Sequence, residues 1–431
     1  MRSRNLCLSL TIVAATAIGG IQPALATCRY QMVALLNGTQ EVPPNASAGF
    51  GAGRFFIDTQ ANTLTYYIVY SGLSAAETAA HIHGPADPGV NAGVLVGLPL
   101  GNVKTGVWNY PEAAEQDILN GRTYVNVHTA NFPGGEIRGQ IVTMVADLDG
   151  NQEVPPVPTA GRGFGLFTVN TDTNTIRYYI AFGGLGAAET AAHIHGLAPH
   201  GVNAGVMFGL PAGSPKVGVA VYNEADEKAI LRGMTYVNIH SANFPGGEIR
   251  GQITPNLIPM DGTQEVPPNA SGAAGVQFLV LDEAGDRLTF DIRHNVASET
   301  AAHFHGFAPP GANAGVLFGL AAPAARKLGT WAYAAAQEDN IRAGLTYTNI
   351  HSTAFPGGEV RGQNVWARLP CIGDIDGNGV VGQGDLGVLL GAFGKNAGEP
   401  GYDACADLDG NNNIGQGDLG LLLSNFGINC P

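Results

Sequence analysis

Large apolar and polar side chains alternate from Arg54 to Asp58 and again from Leu64 to Tyr70, and the polar stretch Thr59-Gln60-Ala61-Asn62 lies between them. Period-two alternation on either side of a short polar turn predicts a β-hairpin. Further strands are expected at Ala79–His83, Gly93–Gly97, Lys104–Trp108, Thr123–His128 and Gly135–Val142, about seven in all. Pro111–Leu119 opens on a proline and carries acids in its first turns, so one short helix should interrupt them.

The pattern then returns twice. Gln40-Glu41-Val42-Pro43-Pro44 recurs as Gln152 to Pro156 and as Gln264 to Pro268, each 112 residues further on. His81-Ile82-His83-Gly84 recurs at His193 and His303, and Phe132-Pro133-Gly134-Gly135-Glu136 at Phe244 and Phe355. A period of that length is too long for a solenoid unit and suits a domain with its own core. Domains are therefore expected at 28–143, 144–255 and 256–368, each a β-sandwich or flattened barrel. Only 13% of residues are charged and 62 are glycine, which suits short strands and many turns in a mainly β protein.

At the N-terminus Arg2 and Arg4 precede an apolar run from Leu6 to Ile18 and then Ala24-Leu25-Ala26, the pattern of a signal peptide over residues 1–26. No later stretch approaches ~20 consecutive apolar residues, so no transmembrane segment is expected and the product should be secreted or attached at the cell surface. The formal charge is −14, and −16 without residues 1–26. So acidic a chain is a poor partner for nucleic acid, whose phosphates are bound by Lys and Arg. In an oxidising compartment Cys28, Cys371, Cys405 and Cys430 are free to form disulfides, and three pairings are open.

Nine of the eleven histidines keep step with the repeats. His81 and His83 project from one face of a strand with Ile82 opposite. On Thr123–His128, Val125 and Val127 should face the core, which leaves Tyr124, Asn126 and His128 on the other face. His81, His83 and His128 thus form a candidate triplet, repeated as His193, His195, His240 and as His303, His305, His351. Three neutral imidazoles suit copper or zinc; the competing reading is that they hydrogen-bond backbone carbonyls or stack on Tyr124 and its counterparts. Glu77, Glu189 and Glu299, four residues before each His-x-His, either orient a histidine or form an edge salt bridge. Glu136, Glu248 and Glu359, each two before an arginine, pose the same choice.

After residue 371 the character changes. Asp374, Asp376, Asn378, Val380 (through its carbonyl) and Asp385 occupy positions 1, 3, 5, 7 and 12 of a calcium loop, with Gly379 at the sharp turn. Asp407, Asp409, Asn411, Asn413 and Asp418 repeat the pattern with Asn412 at the turn. Two Ca2+ ions are expected at 371–430, each loop leading into an apolar segment, Leu386–Phe393 or Leu419–Phe426, and folding there should be coupled to binding.

Three resemblances follow from these residues. The Gln-Glu-Val-Pro-Pro opening, the Ala-His-Ile-His-Gly strand and the His-x-x-x-Phe-Pro-Gly-Gly-Glu-Ile-Arg-Gly-Gln ending together resemble the CHRD domain, from about residue 30 to 368, which implies an extracellular domain. The His-x-His strand, later lone His and trailing Arg138 resemble copper-only relatives of the copper-zinc superoxide dismutases. The twin loop with Asp at position 12 resembles a type I dockerin, which implies a cohesin-like protein partner and an association with polysaccharide degradation. In this tail Gln383-Gly384 and Gln416-Gly417 stand where dockerins carry a Ser or Thr pair. Cys371 and Cys430 flank the module and are placed to clasp its ends.

The leading expectation is a secreted binding or scaffold protein with a calcium-dependent attachment module and no catalytic residues. The alternatives are an extracellular copper or zinc metalloprotein, enzymatic only if it performs dismutase-like redox chemistry, and a component of a polysaccharide-degrading assembly.

Overall fold

The computed structural model describes residues 29–171, 173–321, 323–367, 373–376, 379–409 and 411–428. Residues 1–26, Cys28, Cys371, Cys430 and the loop residue Asn378 lie outside them.

Each repeat is one antiparallel sheet of eight strands. In the first repeat these are β1 (Arg29–Asn37), β2 (Phe50–Asp58), β3 (Thr63–Ser71), β4 (Glu77–His83), β5 (Val94–Gly97), β6 (Val103–Asn109), β7 (Thr123–Thr129) and β8 (Ile137–Ile141). Their order across the sheet is β5-β4-β7-β8-β1-β2-β3-β6, and the second and third repeats reproduce it. The hairpin expected around residues 59–62 is β2–β3, paired from Phe50 with Ser71 to Asp58 with Thr63. The short helix lies at Glu115–Leu119, after a 3-10 turn at Glu112–Ala114.

The sheet has eight strands rather than seven, because β1 does not alternate in sequence. Met32, Ala34 and Leu36 enter the core of the first repeat beside Phe55, Ile82 and Val127. Val33 and Leu35, on the opposite face, are buried too, in a second apolar cluster with Val145, Leu166, Leu257 and Phe278. A strand buried on both faces reads as a continuous apolar run, which is ambiguous by periodicity.

That second cluster draws side chains from all three repeats and organises the molecule. Each repeat also meets both others through polar contacts. Arg177 pairs with Asp87 between first and second, Arg293 with Asp149 between second and third, and the Tyr67 hydroxyl donates to Asp261 between third and first. The three sheets thus close a ring around a shared apolar centre, and each large aliphatic side chain buried there contributes roughly 1.5–3 kcal/mol.

The tail forms helices at Gln383–Ala392 and Gln416–Ser424, packed through Val381, Leu389, Ile414 and Leu422. Gln60 of the β2–β3 turn donates to Asp403 at 3.1 Å, so the tail touches the first repeat. Cys405 is disulfide-bonded, and its partner lies outside the described residues. No helix among the described residues is long and apolar enough to cross a membrane.

Candidate metal centre

β4 and β7 are neighbours, with His81 opposite Asn126 and Ala79 opposite His128. Ile82, Val125 and Val127 are fully buried in the core, so His81, His83 and His128 share the other face, as the alternation requires. His81 Nδ1 and His128 Nε2 lie 3.2 Å apart, and the corresponding pairs are 3.2 Å apart at His193–His240 and 3.3 Å apart at His303–His351. In every triplet one nitrogen from each of the three rings lies within 4.8 Å of the other two.

Two further ring nitrogens are anchored. His83 Nδ1 is 3.0 Å from the Ala92 carbonyl and His128 Nδ1 is 3.0 Å from the Pro133 carbonyl. A carbonyl only accepts, so both Nδ1 atoms carry the proton and donate, and both Nε2 atoms present lone pairs. The second repeat has the same bonds at His195–Ala204 and His240–Pro245, and the third at His305–Ala314 and His351–Pro356. His83, His195 and His305 each keep a buried Nε2 with no hydrogen-bond partner among the described residues. Burial and the neighbouring His128 hold His81 below the usual histidine pKa, and burial does the same to His83, so both favour the neutral, ligating form.

Behind the imidazoles stands an aromatic and cationic wall. His83 stacks on Tyr124 with ring centroids 5.0 Å apart, and the Arg138 guanidinium lies 3.5 Å from the Tyr124 centroid. Arg138 also donates to the Val90 carbonyl at 2.9 Å and to Asn91 Oδ1 at 3.2 Å, and so ties down the loop between β4 and β5. The trailing arginine of the motif therefore acts as a strut behind the site. Its partner is not Glu136. That carboxylate would be raised by burial but is held below its usual pKa by the hydroxyls of Ser47 and Thr129 and by Ser74. Glu77 does not orient a histidine of the triplet either: it pairs with buried Lys104 at 2.5 Å, Glu189 pairs with Lys216, and Glu299 pairs with Lys327 and with His294, which lies outside the triplet, at 3.4 Å.

Glu41 was legible as a repeated residue but not as part of this layer. It is 5% exposed, and its Oε2 accepts from Asn126, the neighbour of His81, at 3.4 Å. Its Oε1 is buried without a partner among the described residues, and burial pushes the carboxyl up to about 7 against the pull of Arg138 and Asn126. Gly135, at φ 134°, packs so closely that a Cβ there would sit 2.4 Å from Asn126 and 2.6 Å from Glu41. That contact explains the second glycine of the Phe-Pro-Gly-Gly motif.

The tail holds two carboxylate groups. Asp374, Asp376 and Asp385 bring oxygens within 4.8 Å of one another, and so do Asp407, Asp409 and Asp418. Asp385 accepts from the Asp376 and Gly382 amides at 2.9 and 2.7 Å, and Asp418 accepts from the Asp409 and Gly415 amides at 3.0 and 2.7 Å. Gly379 and Asn412 both take positive φ, 88° and 66°, at the turn position. Asp385, Asp407 and Asp418 are fully buried, and no Lys or Arg among the described residues pairs with them.

The CHRD-domain model matches residues 32–141, 144–253 and 258–364. Chordin of Xenopus laevis is 25% identical over 289 residues, 60% of this chain and 30% of that protein. Chordin of Danio rerio is 26% identical over 215 residues, 44% of this chain and 21% of that protein. The matched region thus spans less than a third of either relative.

Proposed function

The chain belongs to the CHRD family, and on that premise we propose that it is an extracellular binding protein whose three CHRD repeats each hold one transition-metal ion between three histidines. One observation carries the reading: in all three repeats an otherwise satisfied histidine leaves a buried Nε2 with no partner, aimed where two further imidazole nitrogens converge. A buried polar atom without a partner costs about 1–3 kcal/mol, and a metal ion removes that cost three times over. Bonds of ~2.0 Å in tetrahedral geometry place nitrogens roughly 3.3 Å apart, close to the spacing between His81 and His128. The carbonyls of Ala92 and Pro133 fix the tautomers as outer-shell partners of metal-bound histidines do. All-imidazole ligation suits copper or zinc.

The tail supports a second role for metal. Three buried carboxylates without a cationic partner among the described residues need a counter-charge, and two calcium ions in loops 374–385 and 407–418 supply it. Calcium then orders the tail as an attachment module beside the ring of repeats.

Elemental analysis of the intact secreted chain tests both parts. Copper or zinc near three per chain and calcium near two are expected, and replacing His81 and His83 by alanine should remove one transition-metal ion. The metal reading fails if the natively purified chain carries no transition metal and takes none up on titration with copper or zinc.

A further inference from the structure

The ring makes three interfaces of the same kind, and the one between the first and second repeats contains an open cavity beside Tyr179. Between the first and second repeats lies a space of about 140 Å3, bordered by Glu41, Pro88 and Gln140 of the first and by Phe164, Leu166 and Tyr179 of the second. The matching position between the second and third repeats keeps only about 10 Å3. Register identifies the equivalents: Leu166 pairs with Tyr179 as Phe278 pairs with Asp291 and as Arg54 pairs with Tyr67.

The sister interfaces carry different side chains at these positions. Between the second and third repeats, His200 stands where the first repeat has Pro88 and puts an imidazole into the gap, and Phe278 replaces Leu166. Asp291 there is tied up by Arg326 at 2.6 Å and Arg293 at 3.1 Å. Between the third and first, Arg54 is buried against Gln31 and the Tyr67 hydroxyl donates to Asp261. The residue equivalent to Asp261 is Asn37, whose side chain caps its own chain by accepting from Gln40 and Thr39. Asn37 has no second carboxylate oxygen to offer as Asp261 does, and Tyr179 makes no hydrogen bond to another described residue, while its ring lies against Phe164 with centroids 6.1 Å apart. Glu41 borders the same space with its Oε1 buried and without a hydrogen-bond partner among the described residues, a state it shares with Glu153 and Glu265 of the other repeats, so the feature particular to this interface is the open volume beside it.

We propose that the cavity between the first and second repeats binds a small planar aromatic molecule carrying one N–H or O–H donor, the ring lying among Phe164, Leu166 and Tyr179 and the donor meeting Glu41. In effect the ligand supplies from outside the ring that His200 supplies from within the chain next door. The volume fits one ring system, since an apolar cavity of ~150 Å3 takes benzene. Arg138 also borders the space, but its fork is engaged by Val90, Asn91 and Gln140 and its plane by Tyr124, so an anion finds no free bidentate partner. The site is independent of the metal reading and needs no metal.

Indole is the probe, because it donates through N–H and has no basic nitrogen to ligate a metal. Calorimetric titration of the full-length secreted chain with indole should show one site per chain, and benzoate should bind at least tenfold more weakly. The double replacement Pro88→His with Leu166→Phe copies the filled sister interface and should weaken indole at least tenfold, with circular dichroism confirming that the chain remains folded. Leu166→Phe alone, a smaller change, should weaken it in the same direction. Absence of indole binding up to its solubility limit overturns the proposal, as does unchanged binding in both variants. Benzoate binding as tight as indole overturns the assignment of the donor to Glu41.

Discussion

His81 Nδ1 faces His128 Nε2 at 3.2 Å across two neighbouring strands, although 47 residues separate them in the chain. Because His128 commits its other nitrogen to the Pro133 carbonyl, the contact is either a single hydrogen bond or a pair of lone pairs facing one ion. Protons and metal then compete for the same nitrogens. Burial lowers the pKa of His81 and His83 below 6.5, so both are neutral at pH 7 and their lone pairs are lost as the pH falls through their depressed values. Metal content, measured by elemental analysis after gel filtration, should be full at neutral pH and should fall only once the pH is well below 6.5.

Lys104 is fully buried against Glu77, and the pair recurs in each repeat. Glu77 also accepts from the Tyr70 hydroxyl and the Gly101 amide. Lys104→Met leaves a carboxylate buried without its counter-charge and should cost about 3–5 kcal/mol in chemical denaturation. Adding Glu77→Gln should recover part of that loss.

His200, buried between the second and third repeats, is held down to about 4, chiefly by desolvation. Its folded value is depressed relative to 6.5, so its contribution to stability is complete above 6.5 and disappears as the pH falls toward 4. The loss is on the order of 3 kcal/mol from this residue. Proline occupies the equivalent position in the other repeats, at Pro88 and Pro310. His200→Pro should flatten the pH dependence of the unfolding midpoint over that window.

Leu257 is fully buried in the cluster shared by all three repeats. Leu257→Ala should cost about 2–5 kcal/mol. Because the cluster couples the repeats, scanning calorimetry should also show the main transition broaden or split. A variant with one sharp, unshifted transition would mean that the repeats unfold independently of this contact.

If calcium orders the tail, chelation should expose residues 373–428 to limited proteolysis and leave the ring of repeats intact. Asp385→Ala should have the same effect without chelator, since Asp385 also holds the Asp376 and Gly382 amides of its loop. Mass spectrometry of the fragments would locate the cuts.

Much of the local structure was legible. The alternation at Ile82, Val125 and Val127 placed the histidines on one face, and the common shift of His81, His83 and His128 joined them into one set before any contact was known. Neither alternative for Glu136, orienting a histidine or forming an edge salt bridge, describes its contacts, because a spacing of two from an arginine does not say that Ser47, Ser74 and Thr129 will reach the carboxylate first. Glu41 escaped for a similar reason: a motif in a turn has no periodicity from which to infer what it will touch.

The sequence by itself determined the repeats, most of the strands, the face on which each histidine projects and the oxygen pattern of the tail loops, because all of these follow from local periods and spacings. Only the tertiary structure decided that β1 is a strand buried on both sides, that the repeats close on one another around Val33, Val145 and Leu257, and that a cavity of about 140 Å3 remains between the first and second repeats where His200 narrows the matching space between the second and third to about 10 Å3. Those outcomes depend on which apolar face meets which across more than a hundred residues of chain, and burial is a property of partners that no single strand encodes.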